Sequence, residues 1–261
     1  MERGFTLNGQ HCSGLGVVME SKTVPIITGS NDAYLQVPGR DGSYMFPREL
    51  ADGAIPIACG ILTATAIELM IAKRQIAAWV YSEQKVQLIF DDEPDKYYLV
   101  KYNGAIGLDK MKTPGMGKFT LVFRCDPSAY SVNPLNREFN DPVFLAPFMA
   151  IATDPIGSMI LNNSGTKEAF PVFTVTFIAV ATEIKIANGS DYVRVVRTFA
   201  EGDVLVVNCG LGKITLNGLR EMASLDWQNS KFFSIAPGLT TLTVLPTNAS
   251  ITSVQFIERW L

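Results

Sequence analysis

Lys118-Phe119-Thr120-Leu121-Val122-Phe123-Arg124-Cys125 is the stretch that decides the fold class. Phe119, Leu121, Phe123 and Cys125 fall on one side of an extended chain, and Lys118, Thr120, Val122 and Arg124 on the other. This is the period of two expected of a strand with one face buried. Towards the N-terminus the same reading recurs. Pro114-Gly115-Met116-Gly117 is a turn, Tyr97–Tyr102 and Lys85–Phe90 are strands, and Asp91-Asp92-Glu93-Pro94-Asp95 between them is an acidic loop. Phe5-Thr6-Leu7 leads into Asn8-Gly9, a dipeptide suited to a two-residue hairpin because both residues tolerate positive φ. Val17–Met19 and Val24–Ile27 continue the strand pattern. Tyr34–Val37 meets the turn Pro38-Gly39-Arg40-Asp41-Gly42 and returns through Ser43–Phe46.

One segment departs from this pattern. From Thr63 to Ser82 the spacing is helical. Ile67, Met70, Ile71, Arg74 and Ala78 form one stripe, Leu69, Ile76 and Trp79 widen the apolar side, and Thr63 or Thr65 is placed to cap the start. An amphipathic helix lying on a sheet is expected. After Cys125 the chain becomes rich in Asn and Pro, and a boundary is expected within 131–145, dividing a domain of residues 1–135 from one of residues 136–261. Beyond it lie only strand signals: Ser158–Leu161, Pro171–Ala181, Glu183–Ala187, Tyr192–Val196, Val204–Asn208, Lys213–Leu216, Phe232–Ile235, Leu239–Leu245 and Ser253–Trp260. Turns such as Asn188-Gly189, Gly202-Asp203, Asn217-Gly218 and Pro237-Gly238 separate them. That spacing predicts an antiparallel β-sandwich. The fold class is therefore mainly β in two domains, the first a β-barrel or sandwich-like domain with one helix.

The totals fit this picture. With 261 residues, 48% hydrophobic and 18% charged, the chain has material for sizeable cores and too little charge for disorder. A net charge of −3 with scattered lysines and arginines argues against nucleic-acid binding. No apolar run has the length of a membrane span, and the start does not read as a signal peptide. Cys12, Cys59, Cys125 and Cys209 lie far apart in no metal or redox spacing, so free thiols are expected.

Little in the chain points to catalysis. His11 is the only histidine, and no Ser, Asp or Cys motif accompanies it in sequence. Gly115-Met116-Gly117-Lys118 and Gly210-Leu211-Gly212-Lys213 each precede a strand signal, not a helix, so no helix N-terminus is available to hold phosphate. The acidic run lacks the EF-hand spacing. No metal and no cofactor is implied. Trp227, Phe232, Phe233 and Trp260 read first as core residues and second as a platform for sugars.

The ordered series of motifs resembles the distal tail proteins of siphophages. The resemblance rests on Phe5–Gly9, Val37–Gly42, the helix ending near Trp79, Leu88–Tyr98 and Phe119–Tyr130. In the second half it rests on Asn163–Thr166 with Pro171, Ile214–Gly218, Phe232–Gly238 and Glu258–Leu261. It implies a hexameric ring at the virion tail tip, built by N-terminal domains around a channel, with galectin-like C-terminal sandwiches projecting outward. It also implies that the ring joins the tail tube protein to the tail-associated (tip) protein and carries receptor-binding protein. The family brings no catalytic residues. A ring needs two different surfaces that meet head to tail. The hairpin tip Arg40-Asp41 and the acidic residues Asp91 and Asp92 are the candidates for charged contacts that set register. A carbohydrate-binding sandwich is the second reading.

Overall fold

A computed structural model of the chain describes residues 4–38, 41–46, 48–111, 113, 115–139, 142–144, 151–153 and 157–261. The chain divides into two compact units, Met1–Val132 with Leu261, and Asn133–Trp260. The expected class is observed: strands dominate, with one α-helix among the described residues.

The main sheet of the first unit is antiparallel. Its strands run in the order Gln10–His11, Phe5–Leu7, Val86–Phe90, Glu93–Tyr102, Met116–Ser131, Gly53–Leu62, Val17–Lys22. The alternating stretch 118–125 lies in the middle of Met116–Ser131, and Phe119, Leu121, Phe123 and Cys125 all face the core. The Asn8-Gly9 hairpin forms as expected, with φ of 49° and 80°, the left-handed pair that matches strand twist.

Two strand-and-loop expectations are corrected in this unit, and one strand is added. Val24–Ile27 is not a strand. Thr23 makes the last contact, its N–H donating to Pro56 O at 3.1 Å, and Pro25 has no N–H with which to continue the ladder. The acidic loop shrinks to the two-residue turn Asp91-Asp92, because Phe90 pairs with Glu93 and the strand resumes at once. The strand Gly53–Leu62 did not announce itself. Gly53, Pro56 and Gly60 mask an alternation in which Ile55, Ile57, Cys59 and Ile61 are buried. Pro56 is tolerated because its backbone polar side faces Thr23, where the neighbouring strand has ended.

The helix spans Ala66–Val80. Thr65 Oγ1 accepts from Glu68 N–H at 3.2 Å, and Glu68 Oε2 accepts from Ala64 N–H at 2.9 Å, a reciprocal cap. Its buried face is not the stripe anticipated from spacing. Leu69, Ala72, Ile76 and Val80 enter the core with Phe119, Leu121 and Phe123, whereas Ile67, Met70, Ile71, Arg74 and Ala78 face outward.

The second unit is a sandwich. Its six-stranded sheet has the order Leu135–Glu138, Ser250–Phe256, Val172–Phe177, Val204–Asn208, Lys213–Leu216, Leu219–Arg220, and its four-stranded sheet the order Ser158–Asn163, Gly238–Leu245, Ala181–Asn188, Asp191–Phe199. Both sheets feed one core. Phe177 and Phe199 stack across it with ring centroids 4.1 Å apart and planes at 9°. Phe232–Ile235, expected as a strand, is an extended segment with a single bridge between Ile235 and Ala169. The anticipated strand 171–181 is two, separated by the turn at 178–180. Leu135–Glu138, Pro142–Phe144 and Ile151–Thr153 are strands in a region read as linker.

Candidate assembly surfaces

An antiparallel ribbon leaves the first unit between Lys22 and Gly53. Ser30–Asn31 pairs with Glu49–Leu50, Phe46 N–H donates to Ala33 O at 3.0 Å, and Tyr34–Gln36 pairs with Ser43–Met45. Ion pairs sit near its root, Arg48 with Asp32 and Arg124 with Asp52. Every described residue of its two outer strands is exposed. Directly opposed residues share a face. Leu35 therefore lies beside Tyr44, with Val37 and Phe46 two residues on, and these four are 40–52% exposed. Tyr34 and Met45 occupy the other face. Two short strands with no layer packed on them bury too little to hold their shape alone, and a contiguous apolar surface of this kind marks a contact site.

Of the expected contact residues, Asp41 lies in the bend between these strands and is exposed, whereas Arg40 lies outside the described residues. Asp91 and Asp92 are in the tight turn between Val86–Phe90 and Glu93–Tyr102, and the chain already supplies a side-chain partner to each. Asp91 Oδ2 lies 3.2 Å from His11 Nε2, and Asp92 pairs with Lys22. Lys96 reaches Glu93 at 2.6 Å. Asp92 still presents 65% of its side chain to solvent, so it is the more available of the pair.

The structure also brings to His11 the partners that the sequence did not reveal. Ser13 Oγ lies 2.6 Å from Nδ1, opposite the Asp91 contact at Nε2. A serine, a histidine and a carboxylate in one line resemble a nucleophile with its base. Here Nδ1 also accepts the Ser13 backbone N–H at 3.3 Å, and His11 is the N-cap of the short 3-10 turn Cys12–Leu15. The ring nitrogens are thus engaged in fastening that turn to the hairpin that carries Asp91.

The surface least visible in the sequence is the helix's outward stripe. Ile67 is 76% exposed, Ile71 54% and Met70 43%, and Leu62 just before the helix is also exposed. Lys73 and Arg74 lie beside this stripe and have no ion-pair partner among the described residues. The helix is apolar on two sides, so periodicity alone points at either.

Elsewhere the chemistry is quiet. All four cysteines are buried free thiols. Burial pushes Cys59 up to about 12 and Cys209 up to about 11, which keeps both protonated and unreactive. Among the described residues no group of three metal-binding side chains converges. In the second unit Asn163 is buried and fully engaged. Its Nδ2 donates to Lys167 O and Ile235 O at 2.9 and 3.1 Å, and its Oδ1 accepts from Gly165 N–H. This is the physical content of the Asn163–Thr166 motif: one amide ties three segments together. Phe233 is core as expected, but Trp227 is 64% exposed, its Nε1–H donating to Met222 O at 3.1 Å.

Comparison with known proteins places these features in a family. Residues 12–125 match a phage tail protein RIFT-related domain, and residues 164–260 match the C-terminal domain of a siphovirus-type tail component. The distal tail protein of Bacillus phage SPP1 is 28% identical over 188 residues, spanning 70% of this chain and just under two thirds (66%) of that protein. The crystal structure of SPP1 Dit, described as a paradigm of the hub adsorption apparatus in phages infecting Gram-positive bacteria, superposes with a TM-score of 0.79. It is 18% identical and is matched over 99% of both chains.

Proposed function

The chain belongs to the siphophage distal tail protein family, and from that premise we propose that it closes into a hexameric ring at the virion tail tip. It is a structural component of the tail. In the proposed ring, residues 1–135 form the annulus and residues 136–261 face outward. The ring joins the tail tube protein on one side to the tail-associated tip protein on the other, and carries receptor-binding protein. The reading assigns no catalytic step, and His11 and Ser13 serve as a cap.

The observation that supports this most is the arm. A subunit that keeps Leu35, Val37, Tyr44 and Phe46 about half exposed on one face is built to have that face covered by another chain. Arg40 and Asp41 at its tip, and Asp91 and Asp92 at the neighbouring turn, are proposed as rim charges that set register more than affinity. Negative-stain microscopy of the purified chain, with its mass in solution, tests the reading. Six-fold rings, single or back to back, are expected, and a species that remains monomeric at high concentration contradicts it.

A second reading, carbohydrate binding by the sandwich, has one observation in its favour: the exposed indole of Trp227. Aromatic faces in the open suit stacking on sugar rings. Glycan binding that disappears in Trp227→Ala supports it, and a glycan screen blank for the unmodified protein removes it.

A further inference from the structure

We infer that Asn103 is a site of spontaneous chemical modification: its fold leaves the side-chain amide free to close on the Gly104 peptide nitrogen and lose ammonia, whereas every other Asn-Gly pair of the chain is held against that step. The inference goes beyond the ring reading and does not depend on it.

The chain holds four Asn-Gly pairs, beginning at Asn8, Asn103, Asn188 and Asn217. In each, glycine has no Cβ to hinder approach to its nitrogen. The chemistry is intramolecular and needs only water. The Gly104 backbone nitrogen attacks Asn103 Cγ. The new N–Cγ bond forms, the Cγ–Nδ2 bond breaks, and ammonia leaves with the proton that the peptide nitrogen gives up. Water then opens the cyclic imide. Opening at Cγ gives aspartate in the normal chain. Opening at the backbone carbonyl carbon gives an isoaspartyl link, which runs through the side chain and is longer by a methylene. The net change is amide plus water to carboxylic acid plus ammonia, with nothing oxidised or reduced.

Closure makes two demands. The side-chain amide must be free to turn, and the backbone between it and the next nitrogen must be free to rotate. Asn217 meets neither. Its Oδ1 accepts from Val204 N–H and its Nδ2 donates to Asp203 Oδ1, both at 2.9 Å, while its own N–H donates to Val204 O at 2.8 Å. Asn188 ends the strand Ala181–Asn188, where it is paired with both Asp191 and Leu242, and its Nδ2 donates to Ser234 O at 3.1 Å. Asn8 meets only the first demand. It lies between the paired Leu7 and Gln10 with φ of 49°, and its N–H donates to Gln87 O at 2.9 Å, so its backbone is pinned in the hairpin turn.

Asn103 meets both. It is exposed, and its amide has no hydrogen-bond partner among the described residues. Its N–H donates to Val122 O at 3.2 Å, but residues 104–108 belong to no strand, helix or backbone hydrogen bond among the described residues. A Cβ at Gly104 would meet only Tyr102 Oη, at 3.7 Å, so the space beside the reacting nitrogen is open. The link lies just before Ile106 and Leu108, which pack on the core of the first unit and help line a small apolar niche with Ile76 and Phe119. An added methylene and a new carboxylate at 103 shift the anchors of that loop.

The test is to hold the full-length protein at mildly alkaline pH, digest it at acid pH and map the peptides by mass spectrometry. Acid is expected first at position 103, roughly tenfold faster than at 188 or 217 and also faster than at 8, because the pinned pairs convert only through local opening. Labelling by an isoaspartyl methyltransferase is expected to mark the lengthened link in the same peptide. In urea the four rates are expected to converge, since only the shared dipeptide then matters. Native conversion at 103 no faster than at 188 and 217 overturns the inference, and so does the same ranking persisting in urea.

Discussion

Two hairpins of this molecule make an instructive pair. Ala181–Asn188 with Asp191–Phe199 reverses through Asn188-Gly189 and buries Ile184, Ile186, Val193, Val195 and Phe199. Tyr34–Gln36 with Ser43–Met45 is also antiparallel and apolar-rich, and none of its six residues is buried. Local chemistry differs little between them. The first is one layer of a sandwich and has another sheet to pack against. The second has only its root held by Arg48, Asp32 and backbone pairing. Apolar content gives strands, but a packed layer decides whether those strands stabilise the fold or remain available to another chain.

The sharpest way to break this comparison is to cut into each hairpin. Phe199→Ala removes a fully buried ring stacked on Phe177 and is expected to cost about 3–5 kcal/mol in urea unfolding of the second unit. Leu35→Ala in the arm is expected to stay within about 0.5 kcal/mol. Equal losses would mean that the arm is part of the folded core.

The contrast extends to the cores of the two units under alkali. In the first, burial raises Cys12, Cys59, Cys125 and Tyr98, with Cys59 and Tyr98 both pushed up to about 12. In the second, among the cysteines and tyrosines, only Cys209 is raised, to about 11. A group held neutral in the fold contributes stability that is intact below its unfolded value and is lost as pH rises through its folded one. For the thiols the loss begins near pH 9.0, and for Tyr98 near pH 10.0. The first unit should therefore weaken sooner and further between pH 9.0 and about 12. Trp79 reports on that unit and Trp227 on the other, so tryptophan fluorescence of the Trp227→Phe/Trp260→Phe and Trp79→Phe/Trp260→Phe proteins separates the two. Coincident alkaline transitions would contradict this account.

The smallest effect concerns the helix. Thr65→Ala should cost about 1 kcal/mol through the lost cap, whereas Ile67→Ala on the outward stripe should change stability by no more than about 0.5 kcal/mol. A large loss at Ile67 would show that the stripe is packed within the chain.

Much of this was legible in the residues. The alternation at 118–125, the Asn-Gly turns and the helix with Thr65 at its cap all follow from local rules, and all appear in the structure. Gly53–Leu62 was hidden because its outward positions are Ala, Pro and Gly, which carry no strand signal although Ile55, Ile57 and Ile61 do. The acidic run looked like a loop because its pairing with Phe90 is a register that only the sheet specifies. His11 seemed isolated because Asp91, its partner, is 80 positions away.

The sequence by itself determined most of the element types and carried the family resemblance. Those depend on side-chain period, turn chemistry and composition, which are local. Tertiary structure alone decided which face of the helix is buried, because both faces are apolar and only the position of the sheet distinguishes them. It also decided that the arm's apolar residues stay open and that Asp91 and Asp92 are already paired. Burial and pairing depend on what stands opposite a residue, and no local rule contains that.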